Sequence, residues 1–400
     1  MPKFRSIVFW MHLMAGVVAG AVIFLMAVTG VALTYEKQMF EWADQRLAPL
    51  VPPPAPARAL PPETLLAAVA ASHPGSVPTG VSRRANPLSP ATVTLEGNRA
   101  LLVDPYRGVV LGAPAVRLRA FFRAMTNWHR WLALDGVSRS TGKLVTGVAN
   151  LGFLFIVLSG IYLWCPRVWT RIQVTRVLWF RRGLPAKARD FNWHNVIGLW
   201  SALPLAVVVA GAVPISFPWA SNLVYRLAGE APPLPPARRE SPPASAGGVP
   251  AGSPRREAPA PSALAVGGLD AAWARAEAQV PGWRTISIRL NGPADAPFAF
   301  TIDAGYGGQP QKRGTLTVDR ASAAAARWET FSDQSPGRRL RSWLRFTHTG
   351  EYYGLVGQTV AGLVSAGAAV LVYTGLALAW RRCWGWMRRR APARADVRAA

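Results

Sequence analysis

FNWHNVIGLWSALPLAVVVAGAVPISFPW, Phe191–Trp219, sets a histidine at position 194 two residues ahead of an apolar run, Val196–Trp219, that contains no Asp, Glu, Lys or Arg. An uncharged run longer than ~18 residues can cross a bilayer as a helix. Three further runs share the property: Ile7–Thr34, Leu144–Trp164 and Gly354–Trp380. The chain therefore reads as a membrane protein with four spans at 7–34, 144–164, 196–219 and 354–380. Pro204, Pro214 and Pro218 are expected to kink the third span.

Basic residues in short loops stay on the cytoplasmic side. Lys3 and Arg5 precede the first span, and the 165–193 loop carries Arg167, Arg171, Arg176, Arg181, Arg182, Lys187 and Arg189 against Asp190 alone. The 381–400 tail is equally basic, with seven arginines against Asp396. Both termini are thus expected in the cytoplasm, as in a multi-pass protein of a bacterial inner membrane. The first apolar run exceeds the 7–15 residues of a signal peptide and reads as an uncleaved anchor. The formal charge of +25 is assigned to flanks facing anionic lipid, not to nucleic acid. Cys165 and Cys383, the only cysteines, sit at cytoplasmic span ends, where thiols remain reduced.

Two long external segments remain. In the first, a proline-rich entry leads to a small domain over 61–112: a helix at Glu63–Ser72, the alternating strand ATVTLEG, and two strands around the turn Asp104–Gly108. The second opens with a proline-rich flexible linker over 229–262 and continues as a domain over 263–325. There LDAAWARAEAQV reads as a helix and TISIRL, PFAFTIDA and GTLTVD as strands. The expected fold is all-α in the membrane with two small α+β external domains.

Helix, external domain, histidine, helix occurs twice in the same orientation. His12 precedes Gly16 by four residues, as His194 precedes Gly198; His129 and His348 stand upstream of glycine pairs 13 apart, Gly147/Gly160 and Gly362/Gly375. Parallel repeats are related by an axis along the membrane normal. Such an axis brings His12 toward His194 at one face and His129 toward His348 at the other. The fifth histidine, His73, lies in a soluble helix end and has no assigned role.

Two imidazoles in an apolar site suit haem iron, whose macrocycle supplies the other four ligands. Zinc would require three or four protein ligands, and neither pair has an acidic or cysteine companion. One b-type haem per pair is the reading. A c-type attachment is excluded because no C-x-x-C-H occurs. Arginines crowd the external pair: Arg117, Arg119, Arg123 and Arg130 near His129, and Arg338, Arg339, Arg341 and Arg345 before His348. Of these, Arg123, Arg130, Arg341 and Arg345 are candidate contacts for propionates or an anionic substrate. Tryptophans near the span ends form an interfacial belt. Gly16, Gly20, Gly147, Gly152, Gly362 and Gly367 are read as sites of close helix approach.

HLMAGVVAG in the first span, NWHRWL and LSGIYLWCPR around the second, NWHNVIGLW in the third, and FTHTGEYYGLVGQ with YTGLALAWRR in the fourth resemble the PepSY-associated transmembrane family, which includes bacterial ferric-siderophore reductases. The external units are similar to PepSY domains; the first has the Asp-Pro-x-x-Gly turn at Asp104–Gly108, which the second lacks. The resemblance implies two b haems on His12, His129, His194 and His348, and outward electron transfer reducing a ferric siderophore or other ferric chelate in the periplasm. No nucleotide-binding or flavin motif is present, so the donor would be a separate cytoplasmic carrier or membrane quinol. The rival reading is a membrane-anchored PepSY binding or regulatory module without redox activity.

Overall fold

A computed structural model describes residues 2–51, 58–165, 170–233, 267–290, 292, 293 and 295–390. Most of the expected linker, Arg167 and the end of the basic tail lie outside the described residues. In chain order the helices are α1 (Pro2–Leu33), α2 (Glu36–Leu47), α3 (Pro62–Ser72), α4 (Val116–Trp131), α5 (Arg139–Trp164), α6 (Arg171–Leu178), α7 (Ala186–Ser216), α8 (Pro218–Leu227), α9 (Leu269–Gln279), α10 (Pro336–His348) and α11 (Gly354–Arg390). The strands are β1 (Pro78–Arg84), β2 (Ala91–Leu95), β3 (Arg99–Val103), β4 (Val110–Gly112), β5 (Thr285–Arg289), β6 (Phe298–Asp303), β7 (Arg313–Val318) and β8 (Ala325–Thr330). They divide into two compact units, one of residues 1–36, 120–221 and 341–400, the other of 37–119 and 222–340.

In the first unit, α1, α5, α7 and α11 are long and apolar enough to cross a membrane. They form a ring in which α1 and α7 each pack on both α5 and α11. A small core joins all four: Ala27, Val157, Leu205, Val209, Val364 and Ala368. Large apolar side chains such as Val18, Leu203 and Leu363 face outward and are mostly exposed, a surface suited to lipid rather than water. Gly20 meets Leu376, Gly147 meets Phe217, Gly362 meets Thr34 and Gly367 meets Ile197, all closely, so these glycines do admit neighbours. Gly16 has nothing within 4 Å of an added Cβ, and the expected close approach fails there.

Helix α7 begins at Ala186, about two turns before His194, so the histidine does not open the helix as the apolar run alone suggested. The sequence AKAR after Pro185 favours helix, and the turns that follow are anchored despite their polarity. Buried Asp190 accepts from Arg189 and from Arg381 (2.6 Å). Buried Asn192 donates to the Trp179 carbonyl and accepts from the Arg181 N–H. Pro204 and Pro214 lie within α7, and Pro218 opens α8. Helix α11 runs on through Arg381 and Arg382 to Arg390, past the expected start of the tail.

The second unit holds one antiparallel sheet of eight strands in the order β4-β3-β2-β1-β5-β6-β7-β8. The two segments expected as separate small domains thus share a sheet, joined where β1 pairs with β5, Val81 opposite Ile288 and Arg83 opposite Ile286. Strand alternation gives the sheet an apolar face: Val93 and Leu95, Ile286 and Ile288, Phe298, Phe300 and Ile302, and Leu316 and Val318 are all buried. On that face pack Leu65, Leu66 and Val69 of α3 with Leu269, Ala272 and Trp273 of α9. Each such large side chain contributes about 1.5–3 kcal/mol when buried. The two helix N-termini clasp each other: Asp270 Oδ1 accepts from the Glu63 N–H (2.9 Å), and Glu63 Oε1 from the Asp270 N–H (3.2 Å). Both carboxylates sit where the helix dipole favours negative charge.

Candidate functional site

Each of the four histidines lies against a glycine of a neighbouring helix. An added Cβ would stand 3.5 Å from the His12 ring at Gly160, 3.3 Å from His194 at Gly375, 3.5 Å from His129 at Gly30 and 3.2 Å from the His348 Cβ at Gly211. The missing side chain makes room for the imidazole. Ahead of three of these glycines stands a hydroxyl that holds the ring. Ser159 Oγ lies 2.9 Å from His12 Nδ1, Thr374 Oγ1 3.0 Å from His194 Nδ1, and Thr29 Oγ1 3.0 Å from His129 Nδ1.

The roles in these bonds follow from proton counting. A hydroxyl has one proton to donate. Each of these three hydroxyls donates to a carbonyl one turn back: Thr29 to Leu25 (2.7 Å), Ser159 to Phe155 (2.7 Å), Thr374 to Val370 (2.8 Å). Each must therefore accept from the imidazole, which fixes the proton on Nδ1. The fourth case is plainer still, because His348 Nδ1 lies 2.8 Å from the Val208 carbonyl, which can only accept. The equivalent place before Gly211 is Ala210, with no hydroxyl to offer. All four rings thus present a bare Nε2 lone pair, the atom a metal binds when the other nitrogen is tethered.

The supporting contacts also order the histidines in space. His12 on α1 meets the far end of α5, and His194 on α7 meets the far end of α11, so both lie at one end of the ring. They interact electrostatically. His129 at the end of α4 meets Thr29 near the end of α1, and His348 at the end of α10 meets α7; these two lie at the opposite end. Their ring centres are 6.2 Å apart, with planes tilted by 43°. From His12 to Thr29 along α1 is roughly 25 Å at 1.5 Å per residue, a separation comparable with the ~30 Å thickness of a hydrocarbon layer.

Burial, followed by the charge of His348 and of Arg130, pushes the His129 imidazole down to about 4. Burial, with Arg130 nearby, lowers His348 as well. Both are neutral near pH 7, the form that ligates metal. The Arg130 guanidinium is itself lowered by burial and by the like charges of Arg345 and Arg139. Three guanidinia therefore converge beside this pair. Arg130 and Arg139 both stack on Trp131, at 4.6 and 3.7 Å. Arg139 was not among the arginines singled out from the sequence, because it opens the α5 helix and lies ten residues past His129. Arg123 is exposed on α4, and Arg341 is held by Ser221 Oγ at 2.8 Å. Arg119, read as part of the same crowd, pairs with buried Asp44 at 2.7 Å and stacks on Phe40; it ties α4 to α2.

Among the described residues no group of three or more His, Cys, Asp or Glu comes together. The histidines come as pairs, which suits a centre needing only two protein ligands. A ring whose nitrogen binds metal at ~2 Å has its centre ~3 Å from that metal, so two imidazoles on opposite sides of one iron have centres ~6 Å apart. The spacing of His129 and His348 fits that requirement, and the tethered Nδ1 atoms fit the ligand tautomer.

No curated protein matches the chain. The family model described as the PepSY-associated TM region matches residues 9–382. That match reaches into all four spans and takes in all four tethered histidines and every strand of the sheet, and the chain belongs to the PepSY-associated transmembrane family.

Proposed function

We propose that this membrane protein carries electrons across the bilayer on two b-type haems and reduces a ferric siderophore or other ferric chelate on the far side, serving iron acquisition. The single observation that carries the reading is the set of four histidines at two depths, each with Nδ1 tethered and Nε2 free. A haem held by such a pair would supply one-electron transfer, with the two imidazoles as its protein ligands. His12 and His194 would hold one group and His129 and His348 the other. Ser159, Thr374 and Thr29, with the Val208 carbonyl, orient the rings, and the four glycines leave room for them. Arg130, Arg139 and Arg345 supply cations for carboxylates at the second pair, whether propionates or an anionic chelate.

The basic flanks support a topology with both termini and the 165–193 loop in the cytoplasm and the sheet-bearing unit in the periplasm, in a bacterial inner membrane. A separate reduced carrier or quinol would donate. One electron per ferric ion gives Fe(II), which chelators built for Fe(III) hold less tightly. An anchored binding or regulatory module has no use for tethered, metal-competent histidines at both ends of the bundle. Proteoliposomes with a trapped low-potential reductant and an external ferric chelate test the reading. A ferrous indicator outside should develop colour with the wild type and not with His348→Ala; equal colour from both would overturn it.

A further inference from the structure

The sheet-bearing unit contains a cavity of about 330 Å³ at the open end of β1, where the loops after β1 and β3 meet the turn before β5. Its volume falls within the ~300–1,000 Å³ range of small-molecule sites. No acidic residue lines it. The polar side chains that do are donors. Asn86 uses its Oδ1 to accept the Leu88 N–H (3.0 Å), which leaves its NH2 group. Ser89 Oγ accepts from Gln45 (2.8 Å), which leaves its own proton. Arg83 is compensated, because Glu277 pairs with it and it stacks against the Trp273 and Trp283 rings. Arg84 has no acidic partner among the described residues and is half-buried at the cavity edge.

The walls are aromatic and cyclic. Tyr106 is fixed over the cavity by the Asp104 turn, whose carboxylate accepts the N–H groups of Tyr106 (2.8 Å) and Arg107 (3.2 Å). Trp283 and two proline rings, with the small residues Ala59, Ala85 and Gly282, complete the lining. We propose that this cavity binds a small aromatic carboxylate, its ring against Tyr106 and Trp283 and its anion on Arg84. An uncompensated cation surrounded by spare donors selects an anion, since an Arg fork matches a carboxylate edge. Flat apolar walls select a ring over a compact inorganic anion. The site lies wholly within the sheet-bearing unit and does not depend on the haem reading.

Calorimetric titration of the full chain in detergent with salicylate, and with phosphate, acetate and benzyl alcohol as comparators, tests it. Salicylate should bind saturably at one site per chain, with acetate, phosphate and benzyl alcohol each about tenfold weaker or more. Arg84→Gln should weaken salicylate by about tenfold, and Asn86→Ala, at an exposed loop position, should weaken it less while leaving the thermal unfolding midpoint in place. Absence of saturable salicylate binding, binding indifferent to both substitutions, or phosphate binding as tight as salicylate would each overturn the proposal.

Discussion

The imidazoles of His129 and His348 face each other across 6.2 Å between ring centres, although 219 positions separate them in the chain and they come from helices of different halves. Each is tethered through Nδ1 to a third element, Thr29 on α1 or Val208 on α7. Neither ring can turn to pair with the other without breaking its tether.

The tethers should matter for cofactor retention more than for folding. Thr374→Val keeps side-chain shape but removes the acceptor of the His194 Nδ1–H. Loss of such a partner typically costs about 10- to 100-fold in metal-centre affinity. Haem release to an apo-globin acceptor should accelerate for one haem of the two, and Thr374→Ser should restore it. Uniform loss of both haems would show that the hydroxyl serves general packing instead.

Glycine size should be decisive at one position and irrelevant at another. At Gly211 an added Cβ would stand 2.5 Å from the Leu344 carbonyl of α10, and backbone cannot move aside as a side-chain tip can. Gly211→Ala should cost about 2 kcal/mol and displace His348, lowering haem content toward one per chain. Gly16→Ala, with nothing within 4 Å, should leave haem content unchanged and slightly favour the helix. Detergent unfolding curves and haem assays on the two variants distinguish them.

At the seam of the sheet, a Cβ on Gly80 would lie 2.6 Å from the Ile288 carbonyl on β5. Gly80→Val should push β1 from β5 and destabilise the shared sheet by about 2–3 kcal/mol. Hydrogen exchange should show lost protection in β1 and β5 together, with the spans unaffected.

Burial, with Glu63 alongside, raises the Asp270 carboxyl above its ordinary value. The native state therefore binds this proton more tightly than the unfolded chain does. The associated stabilisation is full below the unfolded value and is lost as pH rises through the native one. Asp270→Asn keeps the Oδ1 acceptor without the charge. Its stability relative to wild type should be greatest near pH 7 and should shrink as pH falls toward 4, read from unfolding midpoints across that range.

Hydropathy alone made the four spans legible, because uncharged runs of that length have few other uses. The four histidines also stood out, since so few occur and they recur at matching places. Their tethers were not legible: Ser159-Gly160, Thr374-Gly375 and Thr29-Gly30 look like ordinary small-residue pairs until the facing ring is known, and Ala210-Gly211 breaks the pattern. The start of α7 was missed because its first turns are polar and so stand outside the apolar run, although AKAR favours helix and Asp190 and Asn192 anchor the turns that follow. Strand β1, PTGVSRR, hides its alternation behind Pro, Gly and two arginines, one of which, Arg83, is covered by Trp273 and Glu277. Strand β8 is an edge with no buried residue. The pairing of β1 with β5 joins segments some 200 residues apart, and no local pattern records such a contact.

A reduced-minus-oxidised visible spectrum of the purified protein, with haem counted per chain, addresses the central claim directly. Wild type should hold about two b haems, as two bis-histidine pairs require, and each of His12→Ala, His129→Ala, His194→Ala and His348→Ala should fall toward one. Protein made with ample haem that shows no b-type spectrum, or four variants that retain the wild-type content, would contradict it.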